Sequence, residues 1–389
     1  MISDELGASS QRIIQDYRFS FAGAGGEYFG IWIVNLLLSL LTLGLYSAWA
    51  KVRREQYFYR NTSLNDQPFS FTGDPIKILK GRLIVVGGLL VLFFLRYLHP
   101  ATHGLLGWVT LGGYPAIYTL GLRFKARNTR YRNIPFRFSG GFAESYLNFG
   151  WIAVAALLGL LTLIYFTPQL EVLQQLQHTG GVVKDPHLQS VAKMVFLSMG
   201  GMLLLMALLT PLYLKRIRAY TFNHLHYGDL PVSFHASSAQ FYRMFARAGL
   251  VALLVFVVSI GGAVIAAKFL HLPNLAGLVL SLFFCIPVYY HVHLVNLTHS
   301  SIRVGEHSLV SNLRFWPYLR LVAGNALLLV LSLGLAWPWV VVRRVRYHLQ
   351  CLTLQASPAF LQSAAAVPQG DVAALGEEAA VFLDVDLSL

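Results

Sequence analysis

Long stretches without any charged side chain constrain this chain more than any other feature of its sequence. Residues 28–50 lie between Glu27 and Lys51 and contain no charge. Further uncharged windows cover 104–122, 145–170, 194–214, 248–267 and 321–342. A helix needs about 20 residues to cross roughly 30 Å of hydrocarbon, and each window has about that length. The pattern therefore predicts a membrane protein.

Two weaker hydrophobic segments, 83–95 and 272–290, raise the number of candidate elements to eight. The composition agrees, because only 12% of the 389 residues are charged, whereas a soluble domain has roughly a quarter. We therefore predict an all-α polytopic membrane protein with six to eight membrane elements. Asp4 and Glu5 stand where a signal peptide has positive charge, so the first element should be retained.

A short motif, Phe-x-Phe-x-Gly, precedes several hydrophobic elements and reveals an internal repeat. Its copies are Phe19–Gly23, Phe69–Gly73 and Phe136–Gly140, with a degenerate copy at Val232–Ala236. A basic box containing Tyr follows the hydrophobic part of each unit, and the boxes begin at Lys51, Arg123, Lys215, Tyr290 and Arg343. Because alternating apolar residues favour an extended strand, each unit is predicted to contain a strand-like segment, a hydrophobic hairpin and a basic helix end.

Five such units fill residues 17–354, and the first and last are abbreviated. Their sequences, starting at Asn35 and Asn325, align without a gap through a shared Arg-Arg pair. Residues 1–16 form a polar N-terminal segment. Residues 355–389 carry acidic but no basic side chains and are rich in Ala, which predicts a disordered acidic tail.

The basic boxes also predict orientation, because Lys and Arg mark the cytoplasmic side of a membrane. The three full hairpins satisfy this rule with every box and every strand-like segment in the cytoplasm. The end units satisfy it only if they are re-entrant, with breaks near Gly44–Tyr46 and Ala336–Pro338, since a single crossing would place the last box outside. The sequence leaves re-entrant ends and full crossings equally open.

The end units carry a resemblance to a known family. The Glu27–Gly30 segment, the run from Leu40 to Tyr57 and the C-terminal "LSLGLAWPWVVVRRVRY" resemble the YjgN family of bacterial inner-membrane proteins. The resemblance covers about residues 17–354. It implies a multi-pass protein of the bacterial inner membrane, and it implies no catalytic residues. The His-rich fourth box and the acidic tail depart from the family pattern.

Three groups of side chains are candidates for function. Arginine forks suit phosphate, so the boxes provide candidate contacts to anionic lipids or an anionic ligand, although such charges also simply orient spans. Asn35 and Asn325 are a candidate intramembrane polar pair, although buried amides more often hydrogen-bond a neighbouring helix. Glu27 is a candidate acid at the mouth of a span. The candidate arginines are Arg53, Arg54, Arg127, Arg130, Arg216, Arg218, Arg343 and Arg344.

The sequence gives no support for a metal, a cofactor or a catalytic centre. Histidines spaced two apart, such as His291 and His293, lie on different faces of a helix and cannot share an ion there. Cys285 and Cys351 form neither a disulfide framework nor a metal cluster. Each basic box adjoins a span, so its nearest polyanion is the lipid leaflet and not nucleic acid.

Three functions remain open. The first is a carrier or lipid-handling membrane protein with cationic cytoplasmic edges, whose site a carrier would place at the bilayer midplane near Asn35 or Asn325. The second is a scaffold that binds protein partners through its cytoplasmic strands and tail. An integral membrane enzyme is the least supported, because no catalytic motif is recognisable.

Overall fold

The computed structural model describes residues 14–98, 105–150, 159, 186–268, 279, 281–358 and 360. The helices are α1 (Gly25–Leu41), α2 (Ser47–Asn61), α3 (Pro75–Leu98), α4 (Leu105–Asn128), α5 (described over 142–150), α6 (Pro186–Asn223), α7 (Ser238–Lys268), α8 (Cys285–His299, after a 3₁₀ turn at Ser281–Phe284), α9 (Phe315–Leu331) and α10 (Trp337–Gln350). The strands are β1 (Gln15–Phe21), β2 (Thr62–Leu64), β3 (Gln67–Phe71), β4 (Thr129–Tyr131), β5 (Ile134–Phe138), β6 (Leu225–Tyr227), β7 (Leu230–Phe234), β8 (Ile302–Val304), β9 (His307–Ser311) and β10 (Leu352–Ala356).

These ten strands form one closed antiparallel barrel in the order β1-β10-β9-β8-β7-β6-β5-β4-β3-β2. Each repeat unit is strand, helix, helix, strand, and its two strands pair with each other, as Phe19 pairs with Leu64 in the first unit. Two-residue turns join one unit to the next. The ring closes where β1 pairs with β10, with Tyr17 opposite Leu354. The five repeats are therefore five sectors of one barrel.

Alternation along each strand gives the barrel an apolar inside and a polar outside. In β1 the aromatic rings of Tyr17 and Phe19 pack into the core, whereas Arg18 and Ser20 are exposed. Aromatic rings continue around the inside, for example between Phe69 and Tyr131 at 4.8 Å. Strands of three to seven residues are shorter than the nine to eleven that a membrane-crossing strand needs. The barrel is therefore a small packed core next to the helices.

The glycine of the Phe-x-Phe-x-Gly motif is required by close packing. A Cβ on Gly140 would lie 2.5 Å from the ring of Phe138 and 2.9 Å from the hydroxyl of Tyr220. Gly23 meets Phe21 and Tyr57 in the same way. In these two copies the second Phe and the Tyr of the basic box therefore pack against the glycine, whereas Gly73 meets Phe71 and Phe124.

The helices form a ring on one end of the barrel, each packing against its neighbours in the chain. The first helix of a unit contacts the last helix of the preceding unit, and α1 packs on α10 to close the ring. A Cβ on Gly25 of α1 would lie 2.2 Å from the Trp339 ring, and Phe29 lies 5.1 Å from the same ring. The two abbreviated end units are consequently direct neighbours.

The prediction of an all-α protein with six to eight membrane elements is wrong. The structure contains the closed barrel, and three described helices are long and apolar enough to cross a membrane: Pro75–Leu95, Lys193–Asn223 and Ser238–Lys268. Only 6 to 11% of each of these apolar stretches is buried inside the protein, so lipid has to cover the rest. Most of the 145–170 window and the acidic tail from 361 onward lie outside the described residues.

The end units show why hydrophobic windows overcount the spans. The 28–50 window breaks at a turn over residues 42–46, where Leu43 and Gly44 have φ of 50° and 89°. The 321–342 window breaks at 332–336, with φ of 49° at Leu333 and 87° at Gly334. Left-handed backbone ends a helix. Each end unit is therefore a short helical hairpin that returns to the barrel.

Candidate functional site

Part of three basic boxes holds neighbouring units together. In units two, four and five, the residue six positions before the second strand donates to a carbonyl of the next unit around the ring. Arg123 donates to the carbonyl of Gly140 at 2.7 Å and Asn296 to that of Leu313 at 2.9 Å. Arg346 donates to Gly23 at 2.8 Å and so joins the last unit to the first. These box residues stabilise the ring.

In units one, three and five, a tyrosine of the box makes a corresponding contact inside its own unit. The hydroxyls of Tyr57, Tyr220 and Tyr347 donate to carbonyls just before the first helix of their own unit, at 2.8, 3.1 and 3.3 Å. Burial raises the pKa of Tyr57 to about 12, so this hydroxyl keeps its proton as a donor. Tyr57 also donates to the carboxylate of Glu27 at 3.3 Å. Glu27, the acid predicted at the mouth of a span, is exposed and has this tyrosine as a hydrogen-bond partner.

The eight predicted arginines divide into an outer and an inner set. Arg54 and Arg218 are half-buried, and Arg54 pairs with Glu55 at 3.1 Å. Arg127 is also half-buried. The guanidinium of Arg53 lies 5.8 Å from the ring of Tyr46. The exposed members are Arg53, Arg130, Arg216, Arg343 and Arg344.

Asn35 and Asn325 are buried at equivalent positions of α1 and α9. They are not neighbours, because α10 lies between these two helices in the ring. The Asn35 amide donates to the carbonyl of Ala50 at 3.3 Å within its own hairpin, while its buried Oδ1 accepts no hydrogen bond from the described residues. Neither asparagine lines the cavity described next.

A cavity of about 100 Å³ lies where the helices of four units reach the mouth of the barrel. Its walls are mostly apolar and aromatic, with side chains of Tyr59, Phe136 and Phe222 among them. The polar ends in the wall are basic: Lys125 from α4, Arg218 from α6 and the imidazole of His299 from α8. Within the described part of the chain, no carboxylate forms an ion pair with Arg218. We call this space the central cavity.

Three histidines extend from the central cavity toward α10. The Nε2 atoms of His291 and His348 lie 3.4 Å apart, and the ring of Tyr318 stacks on His291 at 5.1 Å. Burial lowers the pKa of His348 to about 3, and repulsion from His291 and His299 adds to this effect. Burial, then repulsion from Arg218, lowers the pKa of His299 to about 4. The imidazoles of His299 and His348 are therefore neutral at neutral pH, and the positive charge of the cavity wall belongs to Lys125 and Arg218.

The arrangement suits binding of an anion better than binding of a metal ion. No group of three His, Cys, Asp or Glu side chains in the described residues has the geometry of a metal site. A neutral imidazole can donate one hydrogen bond, and Arg218 offers a guanidinium fork that matches phosphate or carboxylate. Sequence reasoning selected Arg218 but missed His299, His348 and Lys125, because only the closed ring brings their separate units together.

Comparison with known proteins gives the family. Residues 16–382 match the profile of a family described as bacterial protein of unknown function, DUF898. The inner membrane protein YjgN of Salmonella typhimurium strain LT2 is 29% identical over 147 residues, which is 37% of each chain. The protein of the same name from Escherichia coli strain K12 is 41% identical over 58 residues, 15% of each chain.

The matched stretches thus span well under two thirds of these relatives. No solved structure matches this chain. The family match covers most of the sequence and confirms the resemblance noted above. The chain belongs to the DUF898 family, which includes the YjgN inner membrane proteins.

Proposed function

We propose that this is a multi-pass inner-membrane protein that binds a ligand with an anionic group in the central cavity, as a carrier or lipid-handling protein. The proposal rests on one observation: Arg218 is half-buried in the cavity wall, and no described residue forms an ion pair with it. Burying a charge without a counter-charge is costly. A bound anion would supply the missing charge.

The orientation of this site follows from the placement of the boxes. All five boxes lie at helix ends that lead into the barrel, and clustered Lys and Arg favour the cytoplasmic side. The barrel and the central cavity are therefore proposed to face the cytoplasm.

The size and lining of the central cavity limit the ligand. About 100 Å³ accommodates a compact group such as a phosphate or carboxylate, and the aromatic wall suits an attached apolar part. The cavity lies at the barrel mouth, where a lipid head group from the cytoplasmic leaflet could reach it. This location favours lipid handling over a carrier site at the bilayer midplane.

A pair of neighbouring arginines provides the test. Purified protein in detergent is titrated with lysophosphatidylglycerol, which is anionic, and with zwitterionic lysophosphatidylcholine, while bound lipid is counted by native mass spectrometry. Arg218→Gln should weaken binding of the anionic lipid at least about tenfold, because a charge-assisted hydrogen bond contributes about 1.5–3 kcal/mol. Arg216→Gln is the control, since Arg216 is exposed and outside the cavity. Equal binding by both variants and the parent protein would remove the basis of the proposal.

A scaffold that recruits partners by adding strands gains no support. Every strand of the barrel is paired on both sides, and strand addition needs a free edge.

A further inference from the structure

A second cavity, of about 330 Å³, lies between α7 and α8. Its walls contain Gln240, Arg243 and Arg247 from α7 and Tyr289 and His293 from α8. It shares no lining residue with the central cavity. We call it the α7–α8 groove, and it does not depend on the proposed function.

The charge in the α7–α8 groove is positive. Arg243 and Arg247 are one helical turn apart, so both guanidinium groups extend from one face of α7. Both side chains are exposed. Neither makes an ion pair with any residue that the structure describes. Two adjacent like charges repel each other, so a bound anion would relieve the repulsion.

The opposite wall of the α7–α8 groove offers neutral hydrogen-bonding groups. Burial, followed by repulsion from Arg247, lowers the pKa of His293, so this imidazole is neutral at neutral pH and can donate one hydrogen bond. Its ring lies 4.2 Å from that of Tyr289. Asn296 is already occupied, because its amide holds Leu313 in the next unit. The groove therefore combines two cations with a small set of neutral donors.

The surface of α7 beyond the groove is apolar and uncovered. Leu250, Leu253, Leu254 and Val257 are 60 to 67% exposed, and they belong to a helix long enough to cross a membrane. A molecule whose anionic head occupied the groove could lay an apolar chain along this surface. A free phosphate ion would make no use of it.

We propose that the α7–α8 groove binds the phosphodiester head group of an anionic phospholipid from the surrounding leaflet, with Arg243 and Arg247 as the phosphate contacts. Arg243 and Arg247 lie outside the basic boxes, whereas His293 and Asn296 in the opposite wall belong to the fourth box. The proposal gives a ligand to Arg243 and Arg247, which follow the degenerate motif copy at Val232–Ala236.

The full-length protein, stripped of lipid in detergent, tests this assignment by native mass spectrometry. Phosphatidylglycerol and phosphatidylcholine are added in turn, and the bound stoichiometry is recorded. The double variant Arg243→Gln/Arg247→Gln should lose one tightly bound phosphatidylglycerol, with at least about a tenfold weaker affinity, and should bind phosphatidylcholine as before. The control Arg60→Gln/Arg320→Gln removes two other exposed arginines, and Arg320 occupies the place in α9 that Arg243 occupies in α7.

Each outcome decides the proposal. Loss of the tight lipid in the groove variant alone supports it. An equal loss in both double variants would show that diffuse charge attracts the lipid, and the assignment would be overturned. Competition by inorganic phosphate at matched concentration would reassign the groove to a free anion and would also overturn the lipid assignment. Because Arg218→Gln leaves the groove intact, failure here is distinguishable from failure of the central cavity.

Discussion

His299 gives the fold a dependence on pH that can be measured and then removed. The residue is 7% exposed, and burial, followed by repulsion from Arg218 and His291, lowers its pKa from 6.5 to about 4. Unfolding returns the imidazole to water and to its ordinary pKa. Between pH 6.5 and about pH 4 the unfolded chain therefore binds more protons than the folded chain, and the free energy of unfolding decreases as the pH falls.

The magnitude follows from the same pKa difference. One unit of pKa corresponds to about 1.4 kcal/mol. Acidification from about pH 7.5 to about pH 5 covers roughly one and a half units of the interval between the two pKa values. The free energy of unfolding should therefore fall by about 2 kcal/mol because of His299. Below about pH 4 both states are protonated and the loss levels off.

The assay is unfolding in mixed micelles of dodecyl maltoside and increasing dodecyl sulfate, carried out at both pH values. The test variant is His299→Leu, since Leu349 holds the equivalent place, three residues before the second strand of the fifth unit. Its loss on acidification should be smaller than that of the parent protein by about 2 kcal/mol. His235→Asn removes an exposed imidazole and should leave the loss unchanged. The reasoning is refuted if His299→Leu loses as much stability as the parent.

Three further predictions test the ring. Gly25→Ala should destabilise the protein by about 1–3 kcal/mol, because the added methyl group overpacks against the Trp339 ring. Gly26→Ala is the control, since a methyl group at Gly26 would meet open space. Equal denaturation midpoints for the two variants would contradict the contact between Gly25 and Trp339. In a background without the native cysteines, Asp16→Cys/Gln355→Cys should form a disulfide across the β1–β10 pair. Asp16→Cys/Ser308→Cys should not, because β10 separates these positions, and mass spectrometry of tryptic peptides distinguishes the two. Reporter fusions after each terminal strand should place both on the same side, and by the charge rule in the cytoplasm; opposite sides would rule out the closed barrel.

The sequence predicted the repeat and the first strand of most units because those signals are local. The alternation in Phe19-Ser-Phe21 and the basic boxes are visible without any knowledge of pairing. The second strands are not visible, since Thr62–Leu64 and Thr129–Tyr131 have only three residues each and continue directly from a helix. Their extended conformation depends on partners in the barrel. The barrel is thus a product of pairing between units and could not be seen within one unit.

The predicted number of membrane spans was wrong for a different physical reason. Hydropathy records how apolar a window is but not where its backbone turns, and Leu43 and Gly44 reverse the chain inside an unbroken apolar run. The candidate site was predicted in part, because Arg218 lies in a recognisable box. Lys125 and His299 join it only because units two, three and four meet at the barrel mouth.

Closure of the ring also explains why the two end units resemble each other. They are neighbours across the β1–β10 pair, and each has a first helix of 17 residues, compared with 31 for α7. At about 1.5 Å per residue these helices are roughly 25 Å long, too short to cross the hydrocarbon core and return. Among the large apolar side chains that the structure describes, those of the two turns are the most exposed, with Leu43 at 95% and Leu333 at 92%. Because the tips are this apolar and the helices this short, we expect the two hairpins to enter the lipid side by side without crossing it.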